Sequence, residues 1–512
     1  MVKRDSHSTD HLTGGSHRKI MSTKVAISLA AFFLLASIAV IIAIATVQTQ
    51  RRTYISPGLK YGIVLDAGSS RTTVYLYQWP AEKENNTGVV SQTKKCLVKG
   101  PGISEKDADS MKNLKKCMDD ISKDVPPSQH NSTPVFLGAT AGMRLLRLKN
   151  EEQSNAILTE IQEFLRSLPF DFQNASIISG QEEGLYGWIT VNYLMGNFLE
   201  RNIWNTWVHP HGANTVGSLD LGGASTQIAF SAPNDATGKD LIRVSLYGYE
   251  YNVYTHSFLC YGKNEAEKKV LAHLAKNSDN WARTNHPCYP AGYSITFSSS
   301  DIFSSECTKR EKPTRYNQEK NITFFGQSDP ANCKDLVRKI FDFKSCHNKE
   351  NCSFEGVYQP PVTGDFMAYA GFYYTAWALD VKGSNSLERF NATMWSFCSK
   401  DWTTLKKTYN ITEKHLKSYC YSANYVHTIL ADGYKFNNNN WENLNFQKEV
   451  NQTSIAWSLG YMLAQSNMIP AEAKLLQLPI ANSVFAGLLF IFSALTIITL
   501  MFLIIKLVRF CY

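Results

Sequence analysis

At 512 residues, 44% hydrophobic and 19% charged, the chain is too long for one ordinary domain and too apolar to remain disordered. Its 52 Lys and Arg against 44 Asp and Glu leave a net charge of +8 spread thinly along the sequence, which argues against a nucleic-acid-binding face. Eleven cysteines occur without a paired C-x-x-C spacing, which argues against structural zinc and for disulfides.

In chain order, a polar tail (1–24) precedes Val25 to Val47, an uncharged run of 23 residues. At about 1.5 Å per helical residue it spans roughly 34 Å, enough to cross a bilayer. A cleaved signal peptide is the rival reading, with Ala43-x-Ala45 as its cleavage site, but the run is longer than a usual signal core. Val484 to Ile505 forms a second span and leaves a short tail, 506–512. Lys3, Arg4, Arg18, Lys19 and Lys24 before the first span outweigh Arg51, Arg52 and Lys60 after it, a modest bias toward a cytosolic N-terminus. All eight Asn-x-Ser/Thr sequons, at Asn85, Asn131, Asn174, Asn321, Asn351, Asn391, Asn410 and Asn451, lie between the spans. The segment 48–483 therefore reads as facing a lumen or the outside. It also holds ten cysteines, which an oxidising compartment lets pair, with Cys96/Cys117, Cys346/Cys352 and Cys398/Cys420 the easiest to close. Cys511 stands alone on the cytosolic side, open to palmitoylation or simply an inert thiol. Ala26, Ala30, Ala39 and Ala43 give small-x-x-x-small spacings that permit close helix packing, including homo-oligomerisation.

Between the spans the sequence echoes itself. Tyr61-Gly-Ile-Val-Leu-Asp66-Ala-Gly68-Ser69-Ser70 is followed by the alternating Thr73 to Tyr77, and Val216-Gly-Ser-Leu-Asp220-Leu-Gly222-Gly223-Ala224-Ser225 by Gln227 to Phe230. Each reads as a buried strand ending in an acid, a tight turn and a second strand. Gly68, Ser69 and Ser70, and likewise Gly222, Gly223 and Ala224, let backbone N–H groups approach an anion closely, and the serines add hydroxyl donors, so each turn is a phosphate cradle. Asp66 and Asp220 repel phosphate directly. Their reading is as holders of a divalent cation through water, Mg²⁺ or Ca²⁺.

A third glycine-rich stretch, Gly138-Ala-Thr140-Ala-Gly142, follows the strand Pro134 to Leu137 and is read as a loop before a helix over Asn150 to Leu168. Ile157, Leu158, Ile161, Phe164, Leu165 and Leu168 keep helical spacing and are core, and Pro169 stops the helix. Ser179-x-x-Glu182 is a capping box, so Glu182 is structural. Glu183, turned about 100° away, is free for chemistry and suits a general base. No G-x-x-x-x-G-K-[ST] or strand-borne G-x-G-x-x-G occurs, which removes Walker-type and dinucleotide sites.

Five segments, Asp66 to Thr72, Gly138 to Leu146, Ser179 to Trp188, Ser218 to Gln227 and Ser454 to Leu463, together resemble the ecto-nucleoside triphosphate diphosphohydrolase (ecto-apyrase, CD39-like) family. The two terminal spans resemble its cell-surface subgroup, and Lys60 to Tyr75 with Tyr77 to Ser91 look most like the third type within it. The resemblance implies an α/β fold of two ribonuclease-H-like lobes, as in the actin/Hsp70/sugar-kinase superfamily, with a nucleotide in the cleft between them. Lobe I is expected over about 54–179 plus 448–480 and lobe II over about 180–447. It also implies disulfides Cys96–Cys117, Cys260–Cys307, Cys288–Cys333, Cys346–Cys352 and Cys398–Cys420. Carried over by residue, Glu183 matches the base that activates water, Ser69 and Ser225 the hydroxyls that position phosphate and water, and Thr140 a further phosphate-facing hydroxyl. Asp66 and Asp220 match the carboxylates around hydrated Ca²⁺ or Mg²⁺, and Tyr374 the ring that stacks on the base. Trp457 matches a tryptophan near the cleft. Lys263-Asn264 departs from the Arg-Asp of many members.

The activity so implied is hydrolysis of extracellular nucleoside tri- and diphosphates (ATP, ADP, UTP, UDP and similar) to the monophosphate. It places a multi-pass protein in the plasma membrane with both termini cytosolic. A phosphotransferase on the same fold and a non-enzymatic glycosylated receptor ectodomain are the alternatives.

Overall fold

The structure, a computed structural model, describes residues 14–511 apart from 51–52, 56, 84–86, 106–108, 204–206, 213, 234–235, 237, 315, 348, 350, 383–385 and 474. The tail residues Lys3 and Arg4, the flanking Arg51 and Arg52, and the Asn85 sequon lie outside the described residues. The chain forms two units, one from 1–57 with 472–512 and one from 58–471.

In the terminal unit, the helices Gly14–Gln50 and Asn482–Cys511 are each long and apolar enough to cross a membrane, with apolar segments Thr23–Gln50 and Asn482–Cys511. Both extend past the apolar runs read from sequence, because the helical backbone continues through their polar flanks. They pack on one another with a 2.8 Å hydrogen bond between the Ser37 and Thr496 hydroxyls. The Gln48 side-chain amide donates to the Ile480 carbonyl (3.1 Å) and its oxygen accepts from the Ile480 N–H (3.2 Å). Of the small-residue positions, Ala26 and Ala30 are half-buried while Ala39 and Ala43 are exposed. The strands Thr53–Ile55 and Leu475–Gln477 pair antiparallel. The two ends of the expected lobe I thus belong with the terminal helices.

The larger unit is built on two sheets of one pattern. The first holds β1 (Leu59–Ala67), β2 (Thr72–Pro80), β3 (Ser91–Val98), β4 (Pro134–Ala139) and β5 (Asp171–Ile177), in the order β3-β2-β1-β4-β5. The second holds β6 (Gly217–Leu221), β7 (Ser225–Ser231), β8 (Leu241–Leu246), β9 (Tyr249–Leu259), β10 (Phe366–Ala370) and β11 (Leu444–Phe446), in the order β8-β9-β7-β6-β10-β11. In each, the first strand pairs antiparallel with the second and parallel with a later one, β4 in the first sheet and β10 in the second, which is the fourth once β8 is set aside. The ribonuclease-H-like pattern therefore occurs twice, with β8 as an added edge strand.

Period-two alternation sends the two faces of each sheet to different cores. Ile63 and Leu65 of β1 join a core beneath helix α1 (Ala141–Lys149) and helix α2 (Glu151–Arg166). Val64 points the other way, into a core shared with Trp188 of α3 (Gly180–Leu194) and Ala229 of the second sheet. Leu219, Leu221 and Phe230 face the third core, which helices α4 (Lys263–Lys276), α5 (Gly371–Ala378) and α6 (Tyr419–His427) help to close. Helix α7 (Trp457–Ser466) returns to the first sheet, and its Trp457, Leu459, Met462 and Leu463 pack beside Trp188.

The expected helix over 150–168 is α2, with Asn150 as its N-cap accepting from the Gln153 N–H at 3.0 Å. Ile157, Leu158, Ile161 and Leu165 are buried, and Phe164 and Leu168 pack at the margin of the same core. The expected 138–142 loop is shorter than read. Gly138 and Ala139 complete β4, held by parallel partners Asp66 and Ala67 on one side and Ser176 and Ile177 on the other, and α1 begins at Ala141, leaving Thr140 alone between them. All five disulfides implied by the resemblance are formed, and Cys511 is free.

Candidate active site

The site is built where the two repeated hairpins meet. The β1–β2 turn carries Gly68, Ser69, Ser70 and Arg71, and the β6–β7 turn carries Gly222, Gly223 and Ala224. A Cβ placed on Gly223 would lie 2.6 Å from Ser69 Oγ, and one on Gly142 would lie 2.8 Å from Ser69 Cα. Ser69 is thus wedged between α1 and the opposite hairpin at positions only glycine can occupy without displacement. Ser69 is half-buried and Ser70 exposed. Thr140 is buried, its N–H donating to the Ala67 carbonyl at 3.1 Å. Among the described residues neither the Ser69 nor the Thr140 hydroxyl has a protein partner, so both are free to face a ligand. On the second hairpin the Lys263 N–H donates to the Gly222 carbonyl (2.8 Å) and the Asn264 N–H to the Gly223 carbonyl (2.9 Å), which docks the start of α4 beneath the turn.

Glu183 sits in the first turn of α3, next to the capping box that the structure forms between Ser179 and Glu182. It is buried rather than solvated. Its Oε2 accepts from Arg144 Nη2 at 2.5 Å and from Gln227 Nε2 at 3.0 Å. The same two donors reach Ser225 Oγ at 3.1 and 2.7 Å. With its lone pairs engaged, the Ser225 hydroxyl keeps its own proton to donate. Glu183 Oε1 has no protein hydrogen bond among the described residues, and Gln227 Oε1 is buried without a partner. Glu183 Oε1 is thus an acceptor left for an incoming proton donor. Burial pushes the Glu183 carboxyl up, and the Arg144 guanidinium partly holds it down.

Asp66 and Asp220 occupy equivalent places at the ends of β1 and β6, each beside a parallel strand, at Gly138 and Tyr369 respectively. Trp457 Nε1 donates to Asp66 Oδ1 at 2.9 Å, and the far edge of its indole covers Gly138, where a Cβ would be 2.3 Å from the ring. The tryptophan therefore both packs and orients a carboxylate. Burial pushes Asp66 up to about 7, with the negative Glu183 adding to it and the Trp457 hydrogen bond and Arg71 opposing. Burial, then Glu183 and Asp66, raise Asp220 well above the ordinary carboxylate range, with Arg71 of the opposite hairpin as the counter-charge. No protein donor reaches the Asp220 carboxylate among the described residues. Two under-neutralised, oxygen-only carboxylates fit a hard divalent cation. No group of three or more His, Cys, Asp or Glu side chains is assembled for a metal among the described residues, so water or ligand oxygens complete such a shell.

Tyr374 lies on α5, behind Ala370, whose φ of 51° is unusual for a residue with a side chain. Tyr374 is 42% exposed. Burial and then Tyr374 raise the buried Tyr419 hydroxyl of α6. Lys263 Nζ stands 5.1 Å over the Tyr419 ring. Sequence reading did not single out Arg71, Arg144, Gln227 or Tyr419. Gln227 was accessible in principle, as an amide within the apolar strand Thr226 to Phe230, where a buried polar group needs a partner.

Residues 55–478 match the GDA1/CD39 (nucleoside phosphatase) family. The chain is 56% identical over 476 residues to ectonucleoside triphosphate diphosphohydrolase 3 of Homo sapiens, covering 92% of this chain and 90% of that protein. It is 41% identical to ectonucleoside triphosphate diphosphohydrolase 1 of Mus musculus, covering 90% and 91%. Among solved structures, the nucleoside triphosphate hydrolases from Neospora caninum share the fold, with a TM-score of 0.56 at 15% identity over 87% of this chain and 97% of that one. With the repeated sheets, the facing hairpins and this extent of similarity, the chain belongs to the GDA1/CD39 (nucleoside phosphatase) family.

Proposed function

We propose that the chain hydrolyses nucleoside triphosphates and diphosphates to monophosphates, releasing one phosphate per turnover, from a plasma-membrane ectodomain with both termini cytosolic. ATP, ADP, UTP and UDP are the representative substrates. The observation that carries the reading is the Ser69–Gly223 approach with the unpartnered Glu183 Oε1 beside Ser225. It supplies two anion-binding turns and a base on one small volume. We read lobe I as about 54–179 plus 448–480 and lobe II as about 180–447, one turn from each.

The terminal phosphoryl group lies between the turns, bonded by N–H groups of Gly68, Ser69, Ser70, Gly223 and Ala224 and by the Ser69 and Thr140 hydroxyls, while the Gly222 N–H is spent within its own turn on the Ser225 carbonyl (3.0 Å). A water held by Glu183 Oε1 attacks phosphorus in line. Its proton passes to Glu183 as the P–O bond to the nucleotide breaks, and the shortened nucleotide leaves with the bridging oxygen. Ser225 donates to the phosphoryl oxygens while Arg144 keeps Glu183 in place. Asp66 and Asp220 hold Ca²⁺ or Mg²⁺ through water, which when bound neutralises phosphate charge. Tyr374 receives the base on its ring, and a stacking contact tolerates purines and pyrimidines alike. A phosphotransferase needs an acceptor hydroxyl in place of this water, and a receptor has no use for a buried base.

Glu183→Gln keeps the shape and removes the proton acceptor. It is expected to bind nucleotide normally and to lose about 10²- to 10⁴-fold in kcat, read by phosphate release from full-length protein with ATP. Near-normal release removes Glu183 as base. Chelation of divalent cations is expected to abolish turnover, and added Ca²⁺ or Mg²⁺ to restore it. Arg144→Gln removes the charge that holds the Glu183 carboxyl down. Because the deprotonated form is active, the acid limb of kcat/KM should move to higher pH in this variant, and an unmoved limb contradicts the assignment.

A further inference from the structure

Away from the hairpins lies a groove of about 1380 Å³, walled by the end of β9, helix α4 and the segment 338–344. None of Asp66, Ser69, Thr140, Glu183, Asp220 or Tyr374 lines it. Its acids are already engaged. Glu306 pairs with Lys309 and Glu311 with Lys276 (2.9 Å), Asp342 accepts from the Ser345 N–H (3.1 Å), and Glu355 accepts from the Tyr261 hydroxyl. Of its cations Lys309 is paired with Glu306 and Arg338 with Asp432 (3.5 Å), and four others are not. Among the described residues Lys269, Arg310, Lys339 and Lys344 have no carboxylate within 4.0 Å.

Lys269 is half-buried with its ammonium 3.6 Å from the centre of the Tyr261 ring, and burial pushes it down to about 8, so it still carries charge at neutral pH. Glu355 and Glu311 act on it only from beyond 4.0 Å, and a desolvated ammonium without a direct carboxylate partner gains from an anion that reaches it. The other accessible aromatic, Phe343, is flanked by Arg338 at 5.5 Å and Lys435 at 5.9 Å. Aromatic faces so occupied favour simple oxyanions over a stacked base. The volume exceeds that of a single ion and matches an extended ligand.

We propose that this groove is a second anion site, for an oligoanion carrying phosphate or sulfate groups in series, with Lys269 at its base and Arg310, Lys339 and Lys344 at its rim. Ser257 lines the groove and its Oγ accepts from Gln227 Nε2 at 2.9 Å, the same amide that holds Glu183. One wall of the groove is thereby in contact with the hydrogen bonds of the hydrolytic site.

The test is equilibrium binding of two probes, inorganic tripolyphosphate and a sulfated octasaccharide, to full-length protein in micelles at two salt concentrations. Arg310 and Lys339 are exposed, so the double variant Arg310→Glu/Lys339→Glu leaves the fold intact. It is expected to weaken at least one probe by about tenfold or more and flatten its salt dependence, with ATP hydrolysis unchanged. The probe that responds identifies phosphate or sulfate as the natural group. Lys269→Met is expected to weaken the same probe. Unaltered binding of both probes by the rim variant overturns the proposal, as does the failure of both to bind wild-type protein at about 1 mM. Neither result touches the hydrolytic reading, which the ATP assay reports separately.

Discussion

The rest of the structure depends on one close approach, that of Ser69 on the first hairpin to Gly223 on the second. Two anion-binding turns on separate sheets are of little use apart, because each offers only part of a shell around a phosphoryl group. Brought this near, they can in the proposed reading act as one cradle oriented before a ligand arrives, which is the condition for electrostatic stabilisation without reorganisation. The approach is a steric matter at its root. Gly142 behind Ser69 and Gly223 in front leave room that any Cβ would fill.

Bringing the hairpins together also concentrates negative charge. Burial raises all three carboxyls, Glu183 further raises both aspartates and Asp66 further raises Asp220, and within the protein Arg71 and Arg144 are the cations set against them. The two arginines divide the work. Arg144 is bonded directly to Glu183, and Arg71 acts on the two aspartates from the tip of its own hairpin. The aspartates remain under-neutralised, and in the proposed reading this electrostatic gap is filled by a divalent cation. Glu183 is kept apart from that demand by its arginine and its amide, with one oxygen left over for water.

Much of this was legible in the sequence, because the relevant signals are local. The hairpins announce themselves through an acid at a strand end followed by Gly and Ser, and the capping box separates Glu182 from Glu183 by a rule of spacing alone. The disulfides came from the family resemblance, since ten cysteines admit too many pairings for spacing to decide. What local reading missed was long-range. Arg144 and Gln227 reach Glu183 across 39 and 44 residues of sequence, and Trp457 reaches Asp66 across 391. No periodicity encodes such contacts. The 138–142 stretch was misjudged for the same reason, since two glycines around Ala-Thr-Ala look like a loop until parallel neighbours on both sides and an indole over Gly138 fix Gly138 and Ala139 as the end of a strand, with Gly142 already in α1.

The proximity of the hairpins can be measured by replacing Ser69 and Gly223 with cysteine in the full-length protein. A disulfide requires Cα atoms within roughly 7 Å and converging Cβ atoms, which this geometry provides. Mass spectrometry after mild oxidation should find peptides 69 and 223 cross-linked. Recovery of both cysteines as alkylatable thiols would mean that the two turns do not share a phosphate, and the account of the site would fall with them.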